Sequence, residues 1–282
     1  MCRFIAYTGQ DILLANVLIK PEDSLLQQSL LAKETASPTN GDGFGMGWYV
    51  PGISSEPAVF RSVFPAWNDE NLLHLSNKIK SSLFFSHVRS ASSGGVNFYN
   101  CHPFVYKNWM LMHNGQIQDF LAIKRPLRHL LDDDIYHWIR GGTDSEHFFA
   151  LFLQLAKGKD LSQLLTVTEV LESTFKKVEQ LINECGTPGP SYYNLCLTDG
   201  TRIIASRYCT DSSIEPESLH YLEGRYFWSK EDCLEQVDLA PQQSVVISSE
   251  ALTDFNKQWQ RVPANHFITV DVDYSIQIQP VT

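Results

Sequence analysis

Met1-Cys2-Arg3-Phe4-Ile5-Ala6-Tyr7-Thr8-Gly9 opens the chain, and the reading of this stretch decides the fold. Arg3 to Thr8 alternates loosely and is rich in β-formers, which predicts a buried first strand ended by Gly9. Cys2 stands just ahead of that strand. If Met1 is removed, this one residue carries both a thiol nucleophile and a free α-amine, whose unperturbed pKa of about 7.7–8.0 leaves a useful fraction unprotonated near neutral pH. A lysine amine, at about 10.4, would first need strong desolvation. A thiolate activated by a neighbouring base attacks acyl and amide carbons to give a thioester. The competing reading makes Cys2 a small hydrophobe filling the first strand, since free cysteines are among the most buried residues. On the first eight residues alone, that second reading is the better one.

Working outward, Pro21-Glu22-Asp23-Ser24 ahead of Leu25-Leu26 predicts a capped short helix. The turn-rich 37–43 leads into Phe44-Gly45-Met46-Gly47-Trp48-Tyr49-Val50, a strand whose glycines mark close approach by another backbone or a ligand. A helix is expected over Leu72 to Ile79, a buried strand over Ser82 to Arg89, and a strand over Trp109 to His113 that ends in an Asn114-Gly115 turn. Thr143-Asp144-Ser145-Glu146 has capping-box spacing in front of an apolar helix, and a second long helix is expected from about Leu161 to Cys185. Tyr192 to Leu197, Asp199-Gly200 and Ile203 to Arg207 read as a hairpin, with further strands at Ser244 to Ser249 and His266 to Val272. Strands, then two helices, then strands again imply sheets and helices in separate layers, an α+β arrangement. No linker, repeat or low-complexity segment splits residues 1–282, so one domain is expected.

Composition narrows the function. With 22 Lys and Arg against 32 Asp and Glu the net charge is −10, which argues against a nucleic-acid partner and favours a small polar substrate. No run approaches the roughly 18–20 apolar residues of a membrane span, and no secretory leader is apparent, so a cytoplasmic location is expected. The six cysteines (Cys2, Cys101, Cys185, Cys196, Cys209 and Cys233) are scattered without Cys-x-x-Cys pairs and are read as reduced thiols. His87, His102, His113 and His147 lack ligand spacing, so neither a metal nor another cofactor is expected.

Five segments place polar groups at strand ends and turns: Cys2, Asp42-Gly43, His87-Val88-Arg89, His113-Asn114-Gly115 and Thr143-Asp144. Arg89 ends an apolar strand, and its planar fork matches a substrate carboxylate or, equally well, an internal carboxylate. Asn114-Gly115 is either a hairpin turn or an amide beside a backbone N–H, the makings of an oxyanion hole worth roughly 2.7–4 kcal/mol per donor. Asp144 either caps a helix or binds an ammonium group.

Met1-Cys2-Arg3, Asp42-Gly43-Phe44-Gly45-Met46-Gly47-Trp48, Ser86-His87-Val88-Arg89, Asn100-Cys101-His102-Pro103-Phe104, His113-Asn114-Gly115 and Thr143-Asp144-Ser145-Glu146 together resemble the ordered motifs of class II glutamine amidotransferases, the N-terminal-nucleophile type. Asn194 to Gly200 and Ser248-Ser249-Glu250 are similar to the stand-alone subgroup that includes γ-glutamyl amide hydrolases. The resemblance implies a four-layer αββα fold with two stacked antiparallel sheets. It further implies Cys2 as nucleophile with its own amine as base, Asn114 and the Gly115 N–H as oxyanion hole, Arg89 as clamp for the substrate α-carboxylate, and Asp144 as partner of the α-ammonium.

Ser90-Ala91-Ser92-Ser93-Gly94 departs from the Trp and Thr-His-Gly run that synthase-linked members carry after the clamp arginine. The motifs and closing strands occupy the whole chain, so released ammonia is expected to pass to a partner subunit or to solvent. Two alternatives stand beside this reading. One is a Cys101–His102 hydrolase that retains Met1, although catalytic Cys and His are rarely sequence neighbours. The other is a non-catalytic, amino-acid-binding or regulatory subunit of a partner enzyme.

Overall fold

A computed structural model describes all residues except 37, 92–93, 225, 229–233, 237–243 and 254–257, so Ser92, Ser93 and Cys233 lie outside the described residues. In chain order, strands β1 (Arg3–Leu13), β2 (Phe44–Val50), β3 (Ser54–Ser62) and β4 (Lys80–Val88) begin one sheet. Strands β5 (Phe104–Tyr106), β6 (Trp109–Gln116), β7 (Tyr192–Thr198) and β8 (Ile203–Arg207) begin a second. The chain returns to the first sheet with β9 (His220–Gly224), and β10 (Tyr226–Trp228) and β11 (Leu234–Gln236) pair with each other. Strands β12 (Ser244–Ser248) and β13 (Gln260–Arg261) complete the first sheet, β14 (His266–Val270) and β15 (Ile276–Pro280) the second. Their orders are β13-β9-β12-β1-β4-β2-β3 and β15-β14-β8-β7-β6-β5, antiparallel throughout.

Side-chain alternation assigns the layers. Phe4, Ala6, Leu83, Phe85, Val245 and Ile247 of the first sheet pack against Met110, Met112, Cys196, Ala205 and Ile268 of the second. Their chain neighbours Ile5, Tyr7, Phe84 and Val246 face the other way, onto helices α1 (Ala15–Leu18), α2 (Leu25–Leu30) and α3 (Glu70–Ser76). Beyond the second sheet, Leu111, Tyr193, Leu195 and Leu197 pack on helices α4 (Phe120–Arg128), α5 (Asp133–Trp138), α6 (Asp144–Ala156) and α7 (Leu164–Cys185). The result is a four-layer αββα stack with three apolar seams, in which each fully buried large side chain contributes about 1.5–3 kcal/mol.

The glycines of β2 let the sheets close on one another. A Cβ on Gly45 would run into the His102 carbonyl oxygen and one on Gly47 into the Met110 sulfur, both on the opposite sheet side. Two expected boundaries move. Gly9 does not end β1, which continues to Leu13 through a register shift between Thr8 and Ile12. Asn114-Gly115 is not a turn: β6 runs to Gln116, with Asn114 opposite Asn194 and Gly115 opposite Tyr193. The helices begin slightly away from expectation, α3 at Glu70 and α7 at Leu164. No helix among the described residues is long and apolar enough to cross a membrane.

Candidate active site

The N-terminal strand is pinned by residues from the far end of the chain. Arg3, fully buried, donates from Nε to Glu250 Oε1 at 2.9 Å and from Nη1 to the Cys2 carbonyl oxygen at 2.9 Å. Glu250 also accepts the Lys33 and Glu34 N–H groups at 2.8 and 3.0 Å, and Ser249 Oγ accepts the Phe4 N–H at 3.0 Å. The Cys2 peptide is therefore held from its carbonyl side, which leaves its thiol end to face the next segment.

That segment is Arg89–Ala91, just past β4. Cys2 Sγ accepts the Ser90 N–H at 3.3 Å and lies 3.4 Å from the Ser90 carbonyl oxygen. Asp42 Oδ2 accepts the Ala91 N–H at 2.8 Å, while the Asp42 and Arg89 backbones exchange bonds with Arg89 and Gly43 at 3.0 and 2.8 Å. Arg89 is buried and donates from Nη1 to the Gly95 carbonyl at 2.7 Å. Burial raises the Cys2 thiol above its ordinary value, opposed by the Ser90 hydrogen bond and by the nearby N-terminal amine, Arg89 and Arg3. Burial lowers the Met1 amine.

The opposite wall is β6. The alternation that sends Met110 and Met112 between the sheets places Asn114 in that same layer, whereas Leu111 and His113 turn toward α6. Asn114 is fully buried, and neither Nδ2 nor Oδ1 has a hydrogen-bond partner. Gly115 is required by proximity, because a Cβ there would meet the Tyr192 carbonyl. His87 Nε2 faces the His113 carbonyl oxygen at 3.2 Å, joining the two sheets one residue before Asn114. His113 Nε2 faces the Tyr192 carbonyl oxygen at 2.9 Å, which puts its proton there and leaves Nδ1, 2.9 Å from Ser145 Oγ, as acceptor. Desolvation holds His87 down to about 3 and His113 below its usual value, the latter opposed by Asp144.

Asp144 sits at the start of α6. Its Oδ2 accepts the Ile117 N–H at 2.9 Å and its Oδ1 the Ser145 N–H at 2.8 Å, so it clips the helix to the end of β6. The helix cap itself is Thr143, whose Oγ1 accepts the Glu146 N–H at 3.2 Å. Glu146 does not complete a capping box; its carboxylate takes the Arg140 and Gly141 N–H groups at 2.9 and 2.7 Å instead. Cys2 thus meets the segment that follows Arg89, while Asn114 stands on β6 next to the His113 carbonyl that His87 of β4 approaches, with Asp144 tied to the end of β6. Cys101 and His102 form no nucleophile–base pair: the Cys101 thiol points at the Ser62 carbonyl, 3.4 Å away, and the His102 ring stacks on His87 with both nitrogens unpartnered. No three His, Cys, Asp or Glu side chains converge as metal ligands among the described residues.

Residues 12–274 match the family model of the class II glutamine amidotransferases. The chain belongs to that family. A probable glutamine amidotransferase, DUG3, of Saccharomyces cerevisiae is 35% identical over 292 residues, covering 96% of this chain and 82% of the relative. A γ-glutamyl-hercynylcysteine sulfoxide hydrolase of Mycobacterium tuberculosis is 28% identical over 119 residues, 42% of this chain and 50% of that protein. A class II glutamine aminotransferase domain protein of Silicibacter pomeroyi superposes over 99% of both chains with a TM-score of 0.68 at 25% identity. The B. subtilis glutamine PRPP amidotransferase shares the fold alone, at 13% identity with a TM-score of 0.62 over 49% of its length.

Within this class II amidotransferase, the residues that sequence reading passed over are the supports. Arg3 and Glu250 stand in quoted motifs, yet a charged pair 247 positions apart leaves no local signal. Asn194, whose Nδ2 donates to the Glu217 carbonyl at 2.9 Å, and His87 likewise carry no periodicity that would betray a contact across the sheets.

Proposed function

We propose that this amidotransferase-family protein hydrolyses glutamine or another γ-glutamyl amide through a thioester on Cys2. The observation that carries the reading is Asn114: a fully buried amide with both ends unpartnered, on the face of β6 that turns to the layer occupied by Phe4, two residues after Cys2. Such a group costs roughly 1–3 kcal/mol when it binds nothing, a cost that an incoming carbonyl oxygen offsets.

In this reading Met1 is removed and the freed Cys2 amine takes the thiol proton. The sulfur attacks the γ-carbonyl carbon, forming the C–S bond, while the oxyanion receives hydrogen bonds from Asn114 Nδ2 and the Gly115 N–H. The C–N bond breaks as the ammonium of Cys2 returns its proton to the leaving amine. Water, deprotonated by the same amine, then attacks the thioester, releasing the acid and restoring the thiol. Arg89 takes the substrate α-carboxylate and Asp144 the α-ammonium through lone pairs left over from its two backbone contacts. With Met1 attached, the nitrogen of Cys2 is an amide without basicity and the buried thiol stays protonated, so processing is the activating step. The names of the relatives above, a glutamine amidotransferase and a hydrolase of a γ-glutamyl compound, point the same way. We place the whole chain in one catalytic unit working in the cytoplasm, its ammonia or amine passing to a partner subunit or to solvent.

The test uses processed protein, checked by intact mass, with glutamine and a series of γ-glutamyl amides. A diazo-ketone glutamine analogue is expected to label Cys2 once and to spare the Met1-bearing fraction. Asn114→Ala is expected to lower kcat roughly 10²–10³-fold. Labelling elsewhere, or undiminished turnover in Cys2→Ala, refutes the reading.

A further inference from the structure

The Asn100-Cys101-His102-Pro103-Phe104 motif has no part in the mechanism above, yet its first residue joins the two segments that recognise substrate. Asn100 is buried just before β5. Its Nδ2 donates to the Gly94 and Gly95 carbonyls at 2.5 and 3.2 Å, and its Oδ1 accepts the Gly142 N–H at 2.9 Å. Gly95 O is the same oxygen that receives Arg89 Nη1 at 2.7 Å. Gly142 lies two residues ahead of Asp144, in a turn whose preceding amides, Arg140 and Gly141, are held by Glu146.

From this geometry we infer that Asn100 is a positioning residue: its amide ties the loop that holds the Arg89 guanidinium to the turn that presents Asp144, setting the spacing between the carboxylate and ammonium subsites. The inference rests on the reading of Arg89 and Asp144 given above. An amide is suited to the task because it offers donors at one end and an acceptor at the other, whereas a carboxylate would repel the two carbonyls. The loop depends on such a tie. Gly94 and Gly95 occupy positive φ, +74° and +61°, where little but glycine is at ease, and a Cβ on Gly94 would already press on Asn100 Nδ2 at 3.0 Å and Thr143 Cγ2 at 3.3 Å. Gly94 therefore lies flush on Asn100 and on Thr143, the cap of α6. Releasing it moves Arg89 relative to Asp144, while Cys2 and Asn114, held by Ser90 and β6, keep their places.

The experiment compares wild type, Asn100→Asp and Asn100→Ala in the full, processed chain. KM for the best γ-glutamyl amide is expected to rise roughly tenfold or more in both variants with kcat within about threefold, the signature of lost ground-state and transition-state binding alike. Alkylation of Cys2 by iodoacetamide, which has neither an α-carboxylate nor an α-ammonium, is expected to keep its wild-type rate. Combining Asn100→Asp with Arg89→Lys is expected to raise KM by less than the product of the single effects. An unchanged KM, or kcat and alkylation rate falling while KM holds, overturns the inference. If Asn100→Ala fails to fold, Asn100→Asp, of the same shape, decides. A wild type that hydrolyses no γ-glutamyl amide overturns the catalytic reading and this inference with it; a hydrolysing wild type with unshifted KM in Asn100→Asp overturns this inference alone.

Discussion

His147, one turn into α6 and close to Asp144, makes stability depend on pH with a sign and size that the structure sets. The ring is fully buried, Nδ1 donates to the Thr143 carbonyl oxygen at 2.7 Å, and Nε2 accepts from Arg128 Nε at 2.9 Å. The Arg128 contact needs the neutral ring, since a proton on Nε2 would face the guanidinium, whereas the Thr143 contact is open to either form. Desolvation, opposed by the Thr143 hydrogen bond, pushes His147 down to about 3. An unfolded histidine titrates at about 6.5, so between the two values the unfolded chain binds a proton that the native one refuses. This part of the stability is complete above about pH 6.5 and is lost as pH falls. At pH 5, about 1.5 pH units below the unfolded value, the loss is about 2 kcal/mol, against about 0.2 kcal/mol at pH 7. His87, also held to about 3, behaves alike in wild type and variant and cancels in the comparison. His147→Gln keeps an acceptor and a donor but has no proton to gain. Urea unfolding of both proteins at pH 7 and pH 5 is expected to show their difference in stability shifting by about 2 kcal/mol in favour of the glutamine. A difference that stays constant between the two pH values refutes the assignment of a neutral, proton-refusing ring.

Glu250→Ala removes the nearer of two carboxylates from Arg3, which has no exposed side-chain surface and keeps Glu217 at 3.7 Å, and is expected to destabilise by about 3 kcal/mol in urea unfolding. Glu250→Gln, whose amide oxygen can still accept from Arg3 Nε, is expected to lose less. Gly45→Ala drives a methyl into the His102 carbonyl and forces the sheets apart, and a thermal melt is expected to register a loss of roughly 1–3 kcal/mol.

The separate layers of sheet and helix were legible from the order of elements, and the four-layer stack from the family resemblance, whereas Phe4, Ile5, Ala6 and Tyr7 are all apolar and only the structure sorts them into two seams. Ser24 and Thr143 were legible as caps because that signal is local, each bonding an amide three residues on. Asn114-Gly115 misled because its turn preference is a local tendency, whereas seven residues of antiparallel pairing with β7 settle the actual conformation. Gly9 misled likewise, being carried within a strand that has neighbours on both sides. At the site, Cys2 meets Ser90 just past Arg89, and Asn114 stands one residue beyond the carbonyl that His87 approaches. What no window of sequence could reveal is how Arg3 and Glu250, or Asn100 and Gly142, hold them there.

The clasp on the first strand also has a bearing on timing. Strand β1 is flanked by β4 and by β12, and the Ser249 just past β12 that holds Phe4 lies 245 positions further along the chain. Until that segment is in place one long edge of β1 has no neighbour, and the first residues cannot settle into their final seat. The seat of the N-terminal residues is thus completed only when sheet neighbours from the far end of the chain arrive, so this end of the fold forms late.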